Sequence, residues 1–309
     1  MLRFLRTRTL QSLLTLVSVV VIVFFLVRLT GNPATVILPE NAPQALRDEF
    51  MRSQGLDQPV YMQFLIYVQN LAQLNFGESF RRGEPAIDLV MRAFPYTLQL
   101  AFVSITLSLI VAVIVGSLSA WRPNSIFDRI ANILSITSAS VPDFWLAIVG
   151  ILIFAVTFRW LPSSGIGTGW HWVLPIATLM LRPTGILTQV VRGAMIAALS
   201  SPYAKTARGK GIPETYIIFQ HGLKNAALPI ITVTGDQLAG LVNGAVVVET
   251  VFGWPGIGKL MIDSILQRDF LVLQACVLVT AAAIFILNIV IDTLYAALDP
   301  RIRRRYSGK

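Results

Sequence analysis

The sequence predicts an all-α polytopic membrane protein with six transmembrane helices and both termini in the cytoplasm. The 309-residue chain is 55% hydrophobic and 13% charged, and that charged fraction is about half the average for a soluble domain. Six stretches are apolar over about 20 residues, the length that crosses a bilayer. They cover residues 10–29, 97–121, 130–158, 172–191, 228–251 and 271–298.

The orientation follows from the positions of the basic residues. If both termini are cytoplasmic, the inner segments hold 15 of the 25 Lys and Arg residues. These are Arg3, Arg6, Arg8, Arg122, Arg129, Arg192, Lys205, Arg208, Lys210, Lys224, Arg301, Arg303, Arg304, Arg305 and Lys309. The two short outer loops hold only Arg159, Lys259 and Arg268. This asymmetry predicts cytoplasmic termini, so the net charge of +9 reflects topology and gives no reason to invoke nucleic acid.

The first apolar stretch is interpreted as a retained span, and a long outer segment, 30–95, follows it. The stretch is too long for a signal-peptide core, and residues 31–33 (GNP) offer no small-x-small cleavage site. An amphipathic helix is predicted after Pro59, and it either packs on the outer mouth of the bundle or lies in the membrane interface. Its apolar positions are Tyr61, Phe64, Leu65, Val68 and Leu71.

A polar, basic segment between the fourth and fifth spans, 201–229, is where the chain meets a soluble partner. The Ser201-Pro202 pair is typical of a helix start, and Gly209 and Gly211 are typical of its end. Pro213 then begins a second helix that rises toward the next span. Such a glycine-hinged pair of helices can sit in a partner's cleft and carry its movement into the membrane. The alternative is an ordinary basic loop that contacts lipid headgroups.

Arg182 lies in the middle of the fourth predicted span, where a charged side chain costs about 2.5–3.5 kcal/mol on insertion scales. The neighbouring Pro183 frees a backbone carbonyl one turn back, which is typical of a broken helix beside an aqueous path. Arg182 therefore either faces a translocation cavity, where it attracts a substrate carboxylate, or forms a structural salt bridge. The candidate partners for that bridge are Asp143, Asp236 and Asp292.

One face of the fifth span mixes polar and small residues at helical spacing. They are Thr232, Asp236, Gly240, Asn243, Val247 and Thr250. This stripe predicts the lining of a pathway, because polar groups within spans face the bundle interior or an aqueous cavity. The alternative is close packing of a neighbouring helix, which the pair Gly240 and Gly244 would allow.

Two acidic residues are candidate gate residues. Asp143 follows Pro142 early in the third span, and we interpret this pair as a bend near the inner gate. Glu249 lies near the outer end of the fifth span, where it is a candidate for the outer gate.

Other possible site motifs do not suggest catalysis. Residues 253–259 (GWPGIGK) fit the phosphate-loop pattern, but Leu260 follows where magnesium binding needs Ser or Thr, and no strand is predicted before it. His171 and His221 are isolated on opposite sides of the membrane, so no metal site is expected. The single cysteine, Cys276, excludes a disulfide framework and is interpreted as a small buried hydrophobic residue.

Six segments, in the same order along nearly the whole chain, resemble permeases of the dipeptide, oligopeptide and nickel branch of ABC importers. They are 55–59 (GLDQP), 95–98 (PYTL), 203–211 (YAKTARGKG), 221–229 (HGLKNAALP), 248–256 (VETVFGWPG) and 294–303 (LYAALDPRIR). The long outer segment is similar to that of the first permease of the pair. The chain departs from the general ABC coupling motif, since Lys205 stands in the region of its glutamate, and Asn32 stands where an aspartate is usual.

The resemblance implies half of an import channel with the type I ABC importer fold in a bacterial plasma (inner) membrane. The implied partners are a paralogous second permease, two cytoplasmic ATPase subunits and an extracytoplasmic substrate-binding protein, besides membrane lipid. The chain itself would bind no cofactor and hydrolyse nothing, since ATP and Mg²⁺ belong to the ATPase subunits. The implied ATPase-coupling residues are Pro202, Tyr203, Ala204, Lys205, Thr206, Ala207, Arg208, Lys210 and Gly211.

This interpretation divides the chain into 1–29, 30–95 and a five-helix core, 96–309, that contains the coupling loop 192–228. The competing function is a self-sufficient secondary transporter with Asp236, Glu249 or Asp292 as proton carriers. Such transporters often have inverted repeats with paired broken helices, and the sequence contains no second copy of the Arg182-Pro183 break. The cargo stays open among peptides, glutathione, nickel chelates and opine-like or glycoside solutes.

Overall fold

A computed structural model describes residues 2–29, 43–53, 55, 57–79 and 81–298, and the regular elements of this part are helices. Four of the described helices are long and apolar enough to cross a membrane. They are α1 (Leu2–Leu29), α4 (Ala86–Trp121), α7 (Trp170–Leu199) and α13 (Phe270–Leu298). The predicted inner tail at 301–309 and residues 31–33, including Asn32, lie outside the described residues.

The third predicted span is a bent pair of helices. α5 (Ile126–Ser140) and α6 (Asp143–Gly150) meet at an angle of 100°, and α6 continues as a π-helical segment, Ile151–Thr157. The bend predicted at Pro142 is therefore present. If this pair counts as one span, the described helices supply up to five apolar spans.

The fifth predicted span is helical but too polar to count among these apolar helices. It rises through α9 (Glu214–Tyr216), a π-helical segment (Ile217–Leu223) and α10 (Lys224–Gly244). After Ala245 the chain continues as α11 (Val246–Val251), and α12 (Ile257–Leu266) follows a short loop. Length and apolar composition thus support four or five spans within the described residues. A sixth span is present only if this more polar helix also crosses the membrane.

The main hydrophobic core lies where α7 crosses α4 and α5. Glycines make these crossings close: a Cβ atom on Gly116 would lie 2.8 Å from Val191 Cβ, and one on Gly185 would clash with the backbone at Ser135. Small residues let helix backbones approach in this way within membranes. Cys276 is fully buried in a second, smaller cluster, as its apolar surroundings predict.

Pro183 stands inside α7, and side-chain hydroxyls satisfy the backbone next to it. The Met180 carbonyl accepts hydrogen bonds from the Thr184 hydroxyl at 2.7 Å and from the Ser108 hydroxyl at 2.9 Å. The Met180 carbonyl is one residue after the Leu179 carbonyl that Pro183 leaves without its helical N–H partner. This arrangement also ties α7 to α4.

The outer segment contains α2 (Gln44–Ser53) and the predicted amphipathic helix, α3 (Val60–Ala72). α3 packs on α1, where the fully buried Phe24 meets Phe64 edge-to-face, with ring centroids 5.0 Å apart. The Tyr67 ring lies 5.4 Å from the same phenylalanine. The helix therefore contacts the first span, which favours the packing interpretation.

Candidate coupling, gate and pathway sites

The predicted coupling helix is α8 (Pro202–Gly209), and it has two distinct faces. Ala204 and Ala207 are buried, in the same hydrophobic cluster as Leu199 of α7 and Ile217 of the rising helix. The opposite face, with the residue that follows the helix, is exposed and carries hydroxyl and ammonium groups. These exposed residues are Tyr203, Lys205, Thr206 and Lys210. One side of α8 is thus anchored to the bundle, and the other is available to a partner.

Arg208 clamps α8 to the end of α7 and to the start of α9. Its guanidinium donates two hydrogen bonds to the Glu214 carboxylate, at 2.6 and 3.1 Å, and a third to the Leu199 carbonyl at 2.9 Å. The hydrogen bond from Arg208 holds the pKa of Glu214 below its usual value. Arg208 therefore joins α8 to the end of α7 and to the start of α9.

The turn after α8 contains the predicted glycine, whereas the serine predicted to cap the start of α8 does not cap it. Gly211 has φ +76°, a left-handed conformation that favours glycine. Ser201 occupies the N-cap position with extended backbone, but its hydroxyl donates to the Ala198 carbonyl at 2.5 Å and makes no capping bond. Here the hydroxyl closes the end of α7 instead.

A second anchor is the ion pair of Asp128 with Arg192. The sequence does not predict it, since Arg192 entered only the count of inner basic residues. The Asp128 carboxylate is almost fully buried and accepts two hydrogen bonds from Arg192, at 2.5 and 2.8 Å. It also accepts from the Ser119 hydroxyl and from the backbone N–H of Asn124. The pair connects the end of α4, the start of α5 and α7. The spacing of Ser125 and Asp128 indicates a helix start but gives no signal of the pairing with Arg192.

Glu249, the outer gate candidate, is fully buried and held by hydrogen bonds. One carboxylate oxygen accepts from the Thr97 hydroxyl at 2.7 Å, and the other accepts from the backbone N–H groups of Gly258 and Lys259, at 2.7 and 3.2 Å. Thr97 in turn accepts from the N–H of Ile257 at 2.8 Å. Glu249 thus connects α4, α11 and the first turn of α12.

The phosphate-loop-like sequence at 253–259 does bind an anionic group, and that group is the chain's own carboxylate. Successive backbone N–H groups at a helix N-terminus form an anion-binding concavity, which Glu249 fills. A Cβ atom on Gly256 would overlap this carboxylate, and one on Gly258 would clash with Val246 Cα. The element before the loop is the helix α11, as expected if no phosphate site exists here.

Trp254 closes the same end of the bundle, and its role was not foreseen. The side chain is fully buried, and its indole N–H donates to the Tyr96 carbonyl at 3.1 Å. Its ring lies edge-on to Trp172, with centroids 4.6 Å apart. The sequence places Trp254 in a family-like motif without indicating where the ring would lie.

All the pathway candidates of the fifth span are exposed on one face. The exposed residues are Thr232, Asp236, Gly240 and Asn243 on α10 and Val247 and Thr250 on α11. No atom of the described chain lies within 4 Å of a Cβ placed on Gly240, so Gly240 makes no close helix contact there. The close contact is made by Gly235, where a Cβ would lie 2.8 Å from Ile291.

Arg182 and Asp143 are brought near each other without forming an ion pair. Arg182 is exposed, and the described residues include no salt bridge from it to any of the three predicted carboxylates. Its positive charge does act on Asp143, which is partly buried. One Asp143 carboxylate oxygen is buried and accepts no hydrogen bond from the described residues.

Asn243 also reaches a cavity of about 400 Å³ between α1, α10 and α13. The cavity is mainly apolar, with a few hydroxyl and amide groups in its wall. These belong to Ser12, Thr15, Asn243, Thr280 and Asn288. The Thr280 hydroxyl is buried and has no hydrogen-bond partner among the described residues. Thr280 was missed because a single threonine in an apolar run gives no sequence signal.

These features are typical of a membrane transport subunit: a buried helical core, one span with an exposed polar face, and a short helix held against the end of the bundle. Residues 112–304 match the family described as binding-protein-dependent transport system inner membrane component. Residues 1–101 match the family of its N-terminal part. The chain belongs to this family of inner-membrane permeases.

Curated relatives agree along almost the entire chain. The oligopeptide transport system permease protein AppB of Bacillus subtilis (strain 168) is 36% identical over 307 residues, which are 96% of this chain and 97% of that protein. The glutathione transport system permease protein GsiC of Escherichia coli (strain K12) is 38% identical over 307 residues, which are 98% of this chain and 99% of that protein.

Solved structures share the fold at low sequence identity. The MetNI methionine ABC transporter in an inward facing conformation aligns with a TM-score of 0.57 and 18% identity, covering 68% of this chain and 96% of that one. An amino acid ABC transporter crystallised with histidines aligns with a TM-score of 0.51 and 16% identity, covering 69% and 94%. The chain therefore has the fold of type I ABC importer permeases.

The resemblance found in the sequence is thus confirmed. The chain is a multi-pass inner-membrane permease of a binding-protein-dependent ABC importer. Membership of this family implies a complex with ATPase subunits and a binding protein, and ATP hydrolysis takes place on the ATPase subunits. The secondary-transporter alternative is not supported.

Proposed function

We propose that this chain forms one half of the translocation path for a peptide-like solute delivered by an extracytoplasmic binding protein. A paralogous second permease forms the other half, and two cytoplasmic ATPase subunits bind ATP and Mg²⁺. The names of the relatives support a peptide-like cargo, glutathione included. Nickel chelates, opines and glycosides are the other cargoes that this scaffold could carry.

The proposed topology has six spans, with α10 and α11 as the fifth and both termini in the cytoplasm. Residues 1–29 form the first span, 30–95 the extracytoplasmic segment and 96–309 the core with the coupling loop 192–228. The distribution of Lys and Arg supports this orientation. Lipid covers the exposed apolar faces of the spans, because such faces are the ones a bilayer solvates.

The single observation that carries the proposal is that α8 is exposed on one face and clamped on the other. Closure of the ATPases on ATP moves α8, and Arg208 passes this movement to Glu214 and the Leu199 carbonyl. The helix that begins at Glu214 continues into α10, which bears the exposed stripe from Asp236 to Asn243. A push at the coupling helix therefore reaches the pathway wall without crossing a flexible loop.

The two proposed gates are the loop held by Glu249 and the bend before Asp143. At the outer end, Glu249 and Trp254 hold the loop before α12 against α4. The bend before Asp143, proposed as the second gate, lies near Arg182 in the middle of the fourth span, and α6 after it contacts α11. Switching between these gates requires differential contacts in two states, which ATP binding by the partner subunits supplies.

A charge-reversed coupling helix tests the proposal. In proteoliposomes with the complete transporter, Lys205→Glu together with Lys210→Glu should abolish ATP-driven uptake, because both exposed ammonium groups are on the proposed docking face. Lys224→Glu, which alters an exposed lysine outside α8, is the matched control and should transport normally. Full uptake by the double variant would refute the docking role of α8.

A further inference from the structure

A cavity of about 390 Å³ lies at the proposed outer end, between the start of α4 and the loop that leads into α12. Its volume is in the range of small-molecule sites, about 300–1,000 Å³. Its wall carries charges of both signs. The cations are Arg82, Arg92 and Lys259, and the carboxylates are Glu84 and Asp263.

These charges are available for a ligand. Arg92 pairs with Glu84 at a largely exposed position, and Lys259 pairs with Asp263 at 2.5 Å at a partly buried one. Exposed ion pairs add little to stability, so Arg92 and Glu84 can exchange partners at small cost, and about a third of the Lys259 side chain is open to a ligand. Arg82 is exposed and makes no ion pair within the described part of the chain.

We propose that this cavity is a reception site for a small zwitterion, a molecule with one carboxylate and one ammonium group. Arg82 and Lys259 receive the carboxylate, and Glu84 receives the ammonium group. A cavity lined only by cations would favour a simple anion, whereas alternating signs favour a ligand that carries both. The inference deepens the proposed function, because a free peptide is a zwitterion of this kind, and it depends on that function.

The position of the cavity connects ligand binding to the outer gate. Tyr96, whose carbonyl holds Trp254, lines it, and so does Gly256, which packs against the Glu249 carboxylate. A ligand here touches the two elements that keep the gate loop closed. Filling the site is therefore expected to change the contacts that separate closed from open states.

Protection of Lys259 from an amine-reactive reagent tests this site in the complete transporter in nanodiscs. Labelling is measured by mass spectrometry relative to Lys224, which lies outside the cavity. Trialanine should slow labelling of Lys259 severalfold, and its acetylated, amidated analogue should not. Arg82→Gln should remove the protection, while Arg81→Gln, which alters an exposed arginine outside the cavity wall, should keep it.

Three outcomes would overturn the site: equal protection by both peptides, no protection by either, or unchanged protection in Arg82→Gln. Ligand-free binding protein is added in a further arm. If it protects Lys259 as fully as trialanine does, the cavity is a protein-docking contact and the proposal is wrong. The coupling-helix uptake assay on the same preparation shows separately whether the importer function itself holds.

Discussion

Glu249 has no cationic partner in the described part of the chain, although it is fully buried. Its carboxylate is stabilised by the Thr97 hydroxyl and by two backbone N–H groups at the start of α12. A buried ion is costly unless its hydrogen bonds are complete. Each donor must therefore stay in place, which makes the loop a well-defined structure.

Replacing Glu249 with Gln tests this arrangement. The amide has the same shape, but its NH₂ group cannot accept hydrogen bonds from donors, so one set of partners is left unsatisfied. We expect a loss of about 1–3 kcal/mol in stability, measured as a lower Tm of the purified complex. Arg92→Gln, at the largely exposed pair with Glu84, is the control and should keep a Tm close to that of wild type. A Gln variant as stable as wild type would contradict the account of Glu249.

Two glycines offer a matched comparison. A Cβ on Gly258 would clash with Val246 Cα, a backbone atom that cannot turn away, whereas Gly240 has open space around it. Gly258→Ala should destabilise the complex by about 1–3 kcal/mol, as overpacking does. Gly240→Ala should keep Tm or raise it slightly, because alanine is favoured over glycine within a helix, and thermal unfolding of the complex compares the two. A Tm lowered as far by Gly240→Ala as by Gly258→Ala would contradict this account.

At the scale of elements, α8 illustrates where sequence patterns suffice and where they do not. The proline and glycines around it predict its start and its end, because they restrict the backbone locally. The clamp from Arg208 depends on where α7 ends in space, and no spacing rule contains that information. The π-helical segment before α10 was not predicted for the same reason, since Gly222 there packs closely on Met195 of α7.

The clamp predicts a specific pH dependence. Because Arg208 lowers the pKa of Glu214 from its usual 4.5, the contribution of the pair is complete above that pH and is lost as the pH falls through the lowered pKa. Hydrogen exchange of residues 199–216, corrected for intrinsic rates, should be constant between about pH 5 and 8. Protection should fall severalfold below pH 4.5.

Two variants complete this experiment. Glu214→Gln should show reduced protection with no such pH dependence. Arg129→Ala, at an exposed arginine that takes no part in the hydrogen bonds of Arg208, should match wild type. A wild-type pH profile in Glu214→Gln would assign the titration to another group.

For the whole molecule, labelling determines the orientation. The only cysteine, Cys276, is fully buried, so the wild-type chain provides an unreactive background. In intact spheroplasts, Arg268→Cys should react with a membrane-impermeant maleimide, whereas Lys210→Cys should react only after permeabilisation. Both positions are exposed, so a difference reports the side of the membrane. The reverse pattern would place the coupling helix outside and refute the proposed topology.

Much of the fold can be predicted from the sequence, because apolar spans and helix-breaking residues are local patterns. The four apolar helices, the helix after Pro59 and the bend at Pro142 all follow from such patterns. The buried contacts of Glu249 with Thr97 and of Asp128 with Arg192 join residues far apart in the chain. Their partners become visible only when the helices are packed.

The Asp128–Arg192 pair has a consequence for how the bundle can rock. By joining the end of α4, the start of α5 and α7, it makes their shared end a stiff block. We expect the change between states to take place instead at the 100° bend before α6. In alternating access, α6 would then rotate about this bend relative to α4, α5 and α7, which stay fixed to one another.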